Sequence, residues 1–584
     1  MKIGAVRQWL SRLRKTPRMV LFSVLLGIIG ALGAQLFLLM LHWAEVGLLI
    51  PIAGYADITV GQAHQMANAP THVAWYWLIP VATAVGGLIS GVLVYTFAPE
   101  AEGHGTDAAV KAFHQTGGTM RARVPLIKSV ASAITIGSGG SAGREGPTAQ
   151  IAAGIGAIMG QVFDLEPDER RLLVLTGMAA GLSAIFKSPL GTAIFAVEIL
   201  YSEMYFEGEA LVYTLIASAV AYALTGLFEG WTPLFILPAN VSFTQPIELG
   251  WYALLAAGAG IVGAVLPTVF YRLRDWFATW PMPPHIKPAI GAGMLGILGI
   301  FAPPLLGGGY GYIQFALEGG AGLALWVMLL LSLGKIVALS LTVSSGGSGG
   351  VFAPSLYVGA MLGAAVGVLL HMLDFTAVHV TGLAVVGMAA VFAGAARVPI
   401  ASLVMVAEMT GGYRLIMPAM LAVAISYMVQ IWLTRNVKYP SLYEAQVPSP
   451  QDSPVHKASH YQRVVNLLRD REIELDDDIL FSSLWQKLKA GKAIPLRHRA
   501  SDQYVFAVDV RANDGAVDKP VRELGLGQAV ILSVDREGEE FVPGAETRIQ
   551  PGDKLLIAAA RSALGSLEPL FSGAGKVEQA PAGT

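Results

Sequence analysis

The chain has 584 residues, and only 14% of them are charged, namely 39 Lys and Arg and 41 Asp and Glu, against about 25% in soluble proteins. This composition is typical of a membrane protein. The net charge of −2 argues against a nucleic-acid partner, and the absence of cysteine excludes disulfides, thiolate metal sites and cysteine nucleophiles. Charged residues become much more frequent after residue 450, so the membrane part is predicted to end there.

The N-terminal segment indicates the orientation of the chain. Residues 1–18 contain six Lys or Arg and no acidic residue, and residues 19–43 contain neither acids nor Lys or Arg. The positive-inside rule therefore predicts a cytoplasmic N-terminus. The apolar run is too long for a signal-peptide core, so we expect a retained helix rather than a cleaved leader.

Further stretches without charged residues can each supply the roughly 20 residues that a spanning helix needs. They are 75–99, 210–228, 249–271, 336–373, 375–396 and 415–434. Two other apolar segments, 134–158 and 178–198, are interrupted by Gly or Pro. Interrupted helices of this kind usually line a binding site.

An internal repeat indicates where that site lies. Residues 128–147 align with 335–354, pairing two lysines, two Gly-Gly-Ser triplets and two prolines, and 177–198 align with 387–408. A duplicated membrane protein usually packs its halves about a pseudo-twofold axis, with substrate bound where interrupted helices meet. The repeat therefore predicts a site between the two copies.

The glycine-rich loops of the repeat favour an anion. Each loop, 137–147 and 344–354, leads into an apolar run, so free backbone N–H groups and the positive end of a helix dipole would point inward. Glycine allows backbone amides to approach an ion closely. The Thr-Val-Gly-Tyr-Gly filter of a cation pathway is absent from the sequence. The alternative is that these glycines serve only close helix packing.

Glu145 is the one acidic residue in the two loops, and Phe352 takes its place in the second copy. An ionised carboxylate can occupy an anion site, and it can leave when it is protonated or displaced. Glu145 is therefore predicted to act as a gate and a proton carrier, because ionisable groups at membrane depth are costly and mostly functional. The structural alternative is an acid that satisfies local helix N–H groups.

The motifs Gly143-Arg144-Glu145-Gly146-Pro147 and Gly350-Val351-Phe352-Ala353-Pro354, with a tyrosine near the end of the membrane domain, resemble those of the CLC family of chloride channels and chloride/proton exchangers. The resemblance covers about residues 19–446. It implies an all-α polytopic membrane protein with an inverted repeat. It also implies a homodimer with one anion pore per subunit, in the inner membrane of a prokaryote with both termini cytoplasmic.

The resemblance also assigns roles to individual residues. Glu145 matches the gating glutamate, and the backbone amides of Val351 and Phe352 match the central anion ligands. Tyr443 matches the tyrosine whose hydroxyl completes that site, although a tyrosine after the last membrane helix can also be an interfacial aromatic. The full set of predicted anion-site residues is His104, Gly105, Arg144, Gly146, Val351, Phe352, Ala353 and Tyr443.

Two positions depart from the family pattern. His104 stands where the family usually has an anion-binding serine; its imidazole can donate a hydrogen bond to an anion or turn away. Ile199 follows Glu198 where exchangers usually carry a second, proton-handling glutamate. Because isoleucine cannot relay a proton, the sequence favours a passive chloride channel slightly over a chloride/proton exchanger that uses a non-standard internal route.

Acids near Ile199 could supply such a route, and Glu198, Glu203 and Glu207 are the candidates. Glu198 also has a structural interpretation, because Glu408 matches it in the other repeat. Lys187 and Arg397 are then the candidate counter-ions.

The C-terminal part resembles the RCK-C (TrkA-C) domain of potassium-transport regulators, on residues 504–508, 519–525 and 549–556. A small α+β cytoplasmic domain is therefore expected, which serves cytoplasmic dimerisation or binds a small regulatory ligand; the alternative is a domain that only stabilises the protein. The predicted organisation is a basic N-terminus (1–18), a transmembrane domain (19–446, repeats about 70–230 and 250–435), a linker with a helical segment (447–495), the regulatory domain (496–572) and a disordered tail (573–584).

Other functions are less compatible with the sequence. Residues 139–143 fit a Gly-x-Ser-x-Gly nucleophile elbow, but the pattern recurs at 346–350 and no strand or triad accompanies it. Residues 137–142 make a poor dinucleotide fingerprint. We therefore predict neither an enzyme nor a bound cofactor or metal. A potassium-transport component remains a remote alternative because of the C-terminal domain; chloride, protons and membrane lipid are the expected partners.

Overall fold

The computed structural model describes residues 7, 10, 12–65, 75–239, 241–320, 323–375, 378–455, 494–496, 503–526, 529–536, 539–541, 543–560, 567 and 569–571. The chain divides into two compact units, Met1–Ser449 and Pro450–Thr584. The first unit is helical and the second is built on a sheet.

The helices of the first unit differ widely in length. In chain order they are α1 (Lys15–Ala44), α2 (Ile50–Ala53), α3 (Ile79–Phe97), α4 (Thr106–Gln115), α5 (Arg123–Gly137), α6 (Glu145–Val162), α7 (Pro167–Phe186), α8 (Pro189–Glu198), α9 (Gly208–Glu229), α10 (Glu248–Ala278), α11 (Lys287–Phe301), α12 (Tyr310–Leu317), α13 (Leu325–Val343), α14 (Phe352–Met372), α15 (Val380–Ala396), α16 (Pro399–Thr410) and α17 (Ile416–Leu433). A π-helical turn, Glu45–Leu49, joins α1 to α2.

Within the described residues, seven helical segments are long and apolar enough to cross a membrane. They are Lys15–Ala53, Tyr76–Phe97, Gly208–Glu229, Glu248–Ala278, Leu325–Val343, Phe352–Met372 and Tyr413–Leu433. The apolar stretch 336–373 is not one helix: it divides into α13 and α14 at the loop 344–351. Gly346 in that loop has a φ of +101°, which no helix can continue through.

The inverted repeat is visible in matching helix breaks. Helix α7 ends at Lys187 (φ +53°) and α15 ends at Arg397 (φ +57°), both in the left-handed region. Each is followed two residues later by a proline that begins the next helix, Pro189 in α8 and Pro399 in α16. Proline disfavours helical conformation in the residue before it and fits the first turn of a helix, so both breaks have the same cause.

Small residues let the helices of each repeat pack closely. A Cβ added at Gly156 in α6 would lie 2.1 Å from the Leu173 oxygen in α7, and one added at Gly363 in α14 would lie 2.1 Å from the Leu383 oxygen in α15. The α6–α7 and α14–α15 pairs are therefore equivalent backbone-to-backbone contacts of the two repeats. The glycines within these helices therefore serve close helix packing. The glycines of the loops instead allow the loop backbones to approach one another.

The second unit contains a five-stranded antiparallel sheet in the order β1-β2-β5-β3-β4. The strands are β1 (Ile494–Leu496), β2 (Gln503–Asp509), β3 (Val530–Arg536), β4 (Glu539–Phe541) and β5 (Lys554–Ala560). The three long strands coincide with the alternating apolar runs of the sequence, and their apolar side chains form a core of their own. The predicted helical segment before residue 493 and the tail after 572 lie outside the described residues.

An ion pair joins the end of β3 to the turn before β5. Asp553, fully buried in the turn before β5, accepts from Arg536 Nε at 2.7 Å and from Arg536 Nη2 at 2.8 Å. Gly552 before it has a φ of +92°, which explains the Pro-Gly-Asp sequence of the turn.

Candidate anion-binding site

Three glycine-rich loops from both repeats meet at one point of the first unit. Gly143 and Gly350 exchange two backbone hydrogen bonds of 2.7 Å, which joins the loop before α6 to the loop before α14. Gly103 donates to the Gly347 oxygen and accepts from the Gly349 amide, both at 3.2 Å, which adds the loop before α4. The two repeats thus meet at their glycine-rich segments, as the sequence predicted.

Close backbone contact explains the glycines at this point. A Cβ on Gly146 would lie 2.0 Å from the His104 oxygen, and a Cβ on Gly350 would lie 2.7 Å from the Gly146 nitrogen. Gly105 has a φ of +85° and would meet the Gly146 oxygen at 2.5 Å. A side chain at any of these positions would force the three loops apart.

Helices α4, α6 and α14 begin directly after these loops, at Thr106, Glu145 and Phe352. The first N–H groups of a helix have no acceptor within the helix, and the helix dipole adds partial positive charge there. The three neighbouring termini together supply several backbone N–H donors, none of which carries a formal charge. That environment suits a partly dehydrated anion.

Glu145 lies inside this group of helix starts. Its side chain is 1% exposed, and neither carboxylate oxygen makes a hydrogen bond of normal geometry within the described residues. The carboxylate lies beside the Ala353 amide at the start of α14. The one acidic side chain of the loops is therefore buried where an anion would bind, without a fixed partner.

His104 and Tyr443 approach each other on the other side of the loops. Their rings meet edge to face with centroids 5.3 Å apart, and His104 makes a similar contact with Phe270 at 6.1 Å. The Tyr443 hydroxyl pairs with the side chain of Thr106. His104 is 7% exposed, and its Nδ1 has no hydrogen-bond partner in the described part of the chain.

The Phe352 side chain packs away from the loops in an aromatic cluster that sequence reasoning did not anticipate. Its ring lies 4.3 Å from Phe186 and 4.2 Å from Phe392, centroid to centroid. Phe195 contacts both Phe352 and Tyr443 at 6.5 Å. The cluster surrounds the start of α14 with apolar surface, which strengthens electrostatic interactions there.

The segment that carries Tyr443 is held by contacts to several helices. The Leu442 amide donates to the Ala395 oxygen at 2.9 Å, and Tyr271 donates to the Leu442 oxygen at 2.8 Å. The Ala445 amide donates to Asp107 Oδ1 at 2.8 Å. Tyr443 is 2% exposed, so its ring is buried inside the unit and is not an interfacial aromatic.

Lys128 also supports the site, although the sequence showed it only as a repeated position. Its buried Nζ donates to the oxygens of Ala101 (3.0 Å) and Gly103 (2.7 Å) and so holds the loop before α4. Lys335, its repeat partner, donates to three carbonyls at 305–307 before α12. The alignment of the two lysines was the signal for this shared role.

Arg144 and Ile199 have separate surroundings. The Arg144 guanidinium stacks over the Tyr310 ring at 4.5 Å. Ile199 is fully buried at the end of α8, and its carbonyl accepts from Gln446 Nε2 at 3.0 Å.

Glu198 and Glu408 are structural, but their expected counter-ions are wrong. Glu198 accepts from the Ala401 amide at 2.6 Å, at the start of α16, and Glu408 accepts from the Gly191 amide at 2.8 Å, at the start of α8. Lys187 instead donates to carbonyls at 229–230, and Arg397 to Gln430 and Thr434. Each glutamate therefore caps a helix of the other repeat, which is a cheaper way to bury a carboxylate than an ion pair.

A cavity of about 810 Å³ leads to the loop before α4. His104, Gly105 and Asp107 line its inner end, and Lys111, Arg274 and other charged side chains line the rest. It gives His104 and its neighbours access to solvent on one side. Among the described residues, no group of three or more His, Asp or Glu side chains could hold a metal.

Comparison with known proteins identifies the family. The model described as voltage gated chloride channel matches residues 86–430, which is more than half of the chain, and a TrkA-C domain model matches residues 505–572. The chain therefore belongs to the CLC family of chloride transport proteins, a family of transporters and channels. Its C-terminal part is a TrkA-C domain, as the resemblance predicted.

Individual relatives cover most of the membrane unit. A putative chloride channel protein ClcB-like from Ralstonia nicotianae is 32% identical over 362 residues, covering 60% of this chain and 82% of that protein. The H(+)/Cl(−) exchange transporter ClcA of Salmonella agona is 30% identical over 418 residues, covering 69% and 84%.

Solved structures confirm the fold. A slow cyanobacterial Cl−/H+ antiporter superposes with a TM-score of 0.60 at 22% identity, covering 73% of this chain and 95% of that one. A CLC-type fluoride/proton antiporter gives 0.60 at 21% identity, covering 74% and 98%. The predicted all-α membrane fold with a small C-terminal domain is therefore correct.

Proposed function

We propose that this protein exchanges chloride for protons across the membrane, with Glu145 as both gate and proton carrier. The observation that carries the proposal is the buried Glu145 carboxylate, which has no fixed hydrogen bond and lies among three helix starts. When it is ionised it occupies the anion site. When it is protonated it leaves the site to chloride, so the two ions alternate at one position.

The proposal reverses the slight sequence-based preference for a passive channel. That preference rested on Ile199, which cannot relay a proton. Relatives at about 30% identity carry the name H(+)/Cl(−) exchange transporter, which favours the exchanger. A single missing carboxylate is a weaker argument, because a proton can take another route through water and neighbouring side chains.

Chloride is coordinated, in this proposal, mainly by backbone. The amides of Val351, Phe352 and Ala353 at the start of α14 and that of Gly146 in α6 are the central donors. Tyr443 contributes its hydroxyl. The remaining members of the predicted set, His104, Gly105 and Arg144, lie in the same loops, and the unpartnered Nδ1 of His104 supports a role for its ring.

The larger organisation is also proposed. The protein is a homodimer with one pathway per subunit in a prokaryotic inner membrane, with both termini cytoplasmic. Residues 496–572 form a regulatory domain that takes a small-molecule ligand. These assignments rest on membership of the CLC family and on the basic residues 1–18.

The test is the reversal potential of the purified full chain in a planar bilayer. A fixed chloride gradient is applied with and without a pH gradient. For an exchanger the potential moves when the pH gradient is imposed, because protons contribute to the driving force. A potential that stays at the chloride equilibrium value at every pH gradient would establish the second candidate, a passive channel, which Ile199 favours.

A further inference from the structure

An exchanger must pass protons to Glu145 from the opposite side of the membrane, and Ile199 cannot carry them. Three acids lie within a few residues of it, Glu198, Glu203 and Glu207. The sequence does not distinguish them. Their surroundings do, because a proton acceptor at this place needs access to solvent together with a contact to the interior of the protein.

Two of the three acids have the wrong surroundings. Glu198 is 2% exposed and is held by the amides of Ile400 (3.1 Å) and Ala401 (2.6 Å), which fix it as the cap of α16. Glu203 is exposed in the loop between α8 and α9. Neither position offers a carboxylate between solvent and the interior.

Glu207 has the required surroundings. It is half-buried at the residue before α9, and its Oε1 accepts the hydroxyl of Tyr201. Tyr201 is fully buried and lies two residues after Ile199. The Glu207–Tyr201 pair therefore extends from the protein surface to the surroundings of Ile199, the position where the family usually has a glutamate.

Other charged and titratable groups face this pair from three elements. The Arg171 guanidinium of α7 interacts electrostatically with Glu207 and stacks over the Phe113 ring at 4.0 Å. The His114 ring of α4 meets the Tyr201 ring edge to face at 5.5 Å, and its Nε2 donates to the Leu200 oxygen at 3.0 Å. Tyr205 meets Tyr201 at 6.1 Å within the same loop.

The loop lies on the face where the chain enters and leaves the membrane unit. Lys15, the first residue of α1, pairs with Glu209 at 2.6 Å. The Ser202 amide donates to the Val447 oxygen at 2.9 Å, close to the end of the unit. This face is the one predicted to be cytoplasmic from the basic N-terminus.

Polar groups continue from Tyr201 toward the anion site. Tyr201 pairs with Val447 in a parallel bridge. Gln446, the residue before Val447, donates to the Ile199 oxygen at 3.0 Å. Ser441 donates to Gln446 Oε1 at 2.6 Å and accepts from the Tyr443 amide at 3.3 Å. The acid–tyrosine pair is therefore joined to the segment that presents Tyr443.

We propose that Glu207, positioned by Tyr201, is the inner proton acceptor that replaces the carboxylate missing at Ile199. The proposal rests on the proposed exchange function. A proton from the cytoplasmic solution binds Glu207, whose O–H then donates to the Tyr201 oxygen, and the proton of that hydroxyl passes to a water molecule deeper in the protein, toward Ile199. One proton enters and one leaves, and Tyr201 stays neutral.

The test uses the full chain in liposomes with an outward chloride gradient, in which chloride efflux and proton uptake are measured together. In Glu207→Gln we expect the proton-to-chloride ratio to fall about tenfold or more, the scale of losing a positioned proton-transfer group, while chloride efflux persists. Tyr201→Phe keeps the ring and lowers the ratio in the same direction. Glu207→Asp keeps a carboxylate and retains coupling.

Glu203→Gln, an acid of the same loop, is the matched control and should leave the ratio unchanged. An unchanged ratio in Glu207→Gln would overturn the assignment of Glu207 while exchange itself stands. If Glu207→Gln does not fold, an unchanged ratio in folded Tyr201→Phe overturns the assignment instead. Absence of proton uptake by the unmodified protein would refute the exchange function, and the inner acceptor with it.

Discussion

Glu145 differs from Glu198 and Glu408 in its hydrogen bonds. Glu198 and Glu408 each accept two or more hydrogen bonds at the start of a helix, so their position is fixed. Glu145 is 1% exposed at a helix start and lies beside the Ala353 amide, yet neither oxygen has a hydrogen bond of normal geometry within the described residues. The same side chain therefore caps a helix in two places and lacks such a cap contact in the third.

This difference predicts the behaviour of Glu145→Gln. The amide cannot carry a proton and has no negative charge to occupy the anion site. We expect proton uptake to fall at least about a hundredfold, while chloride flux continues without dependence on pH. Simultaneous recording of both ions in liposomes measures this, and a variant that still couples protons to chloride would contradict the role of Glu145.

Tyr443 can be tested by removing one atom. Tyr443→Phe keeps the ring contacts with His104 and Phe195 but loses the hydroxyl. A hydrogen bond to a charged group contributes about 1.5–3 kcal/mol, so chloride affinity should weaken by roughly tenfold or more. Isothermal titration calorimetry with chloride measures the change, and equal affinities would remove the hydroxyl from the site.

At the scale of secondary-structure elements, the candidate site depends on how closely the backbones of three loops approach one another rather than on side chains. The loops before α4 and α6 meet the loop before α14, more than two hundred positions later in the chain, through glycine hydrogen bonds. The candidate anion donors are helix termini, whose direction is set by how α6 packs on α7 and α14 on α15. A change in one loop therefore moves donors from both repeats.

Gly146→Ala tests this dependence. Its Cβ would lie 2.0 Å from the His104 oxygen, so the loops before α4 and α6 must separate. We expect loss of chloride binding and a thermal midpoint in detergent lower by several degrees, because overpacking costs about 1–3 kcal/mol. Gly258→Ala in α10, where nothing lies within 4 Å of the added Cβ, is the control and should change neither quantity.

The sequence predicted those parts of the site that are local. The glycine loops, the buried acid Glu145 between them and the repeat were all recognisable because short motifs recur at a constant spacing; the gating role of Glu145 stays a prediction. The aromatic cluster around Phe352 and the contact of His104 with Tyr443 were not, since they join segments far apart in the chain. The partners of Glu198 were predicted wrongly because a nearby cation is visible in a sequence, whereas a helix start in the other repeat is not.

At the scale of the whole molecule, the contacts that hold the anion site lie within the membrane unit. Tyr443 is the last site residue, and the hydrogen bonds that anchor its segment, to Asp107, Tyr271 and Ala395, lie in the same unit. The TrkA-C domain begins some sixty residues later, at 505. The transport site does not depend on that domain for any of these contacts.

A chain that stops after residue 449 should therefore still transport. We expect chloride efflux within about threefold of the full-length rate, a difference of under 1 kcal/mol in the barrier, with the response to a ligand of the C-terminal domain lost. Efflux from liposomes that contain equal amounts of each folded protein measures this. A truncated protein that folds but binds no chloride would show that the second unit completes the site.

The reciprocal caps of Glu198 and Glu408 have a consequence for biosynthesis. The start of α8 is satisfied by Glu408, which follows Leu190 by 218 residues. At the usual synthesis rate of roughly 5–20 residues per second, the first repeat waits about 10–40 s for that acid. During this time the amides before α8 lack their permanent acceptor, so the first repeat is inserted as an incomplete structure and is finished only when the ribosome has made the second.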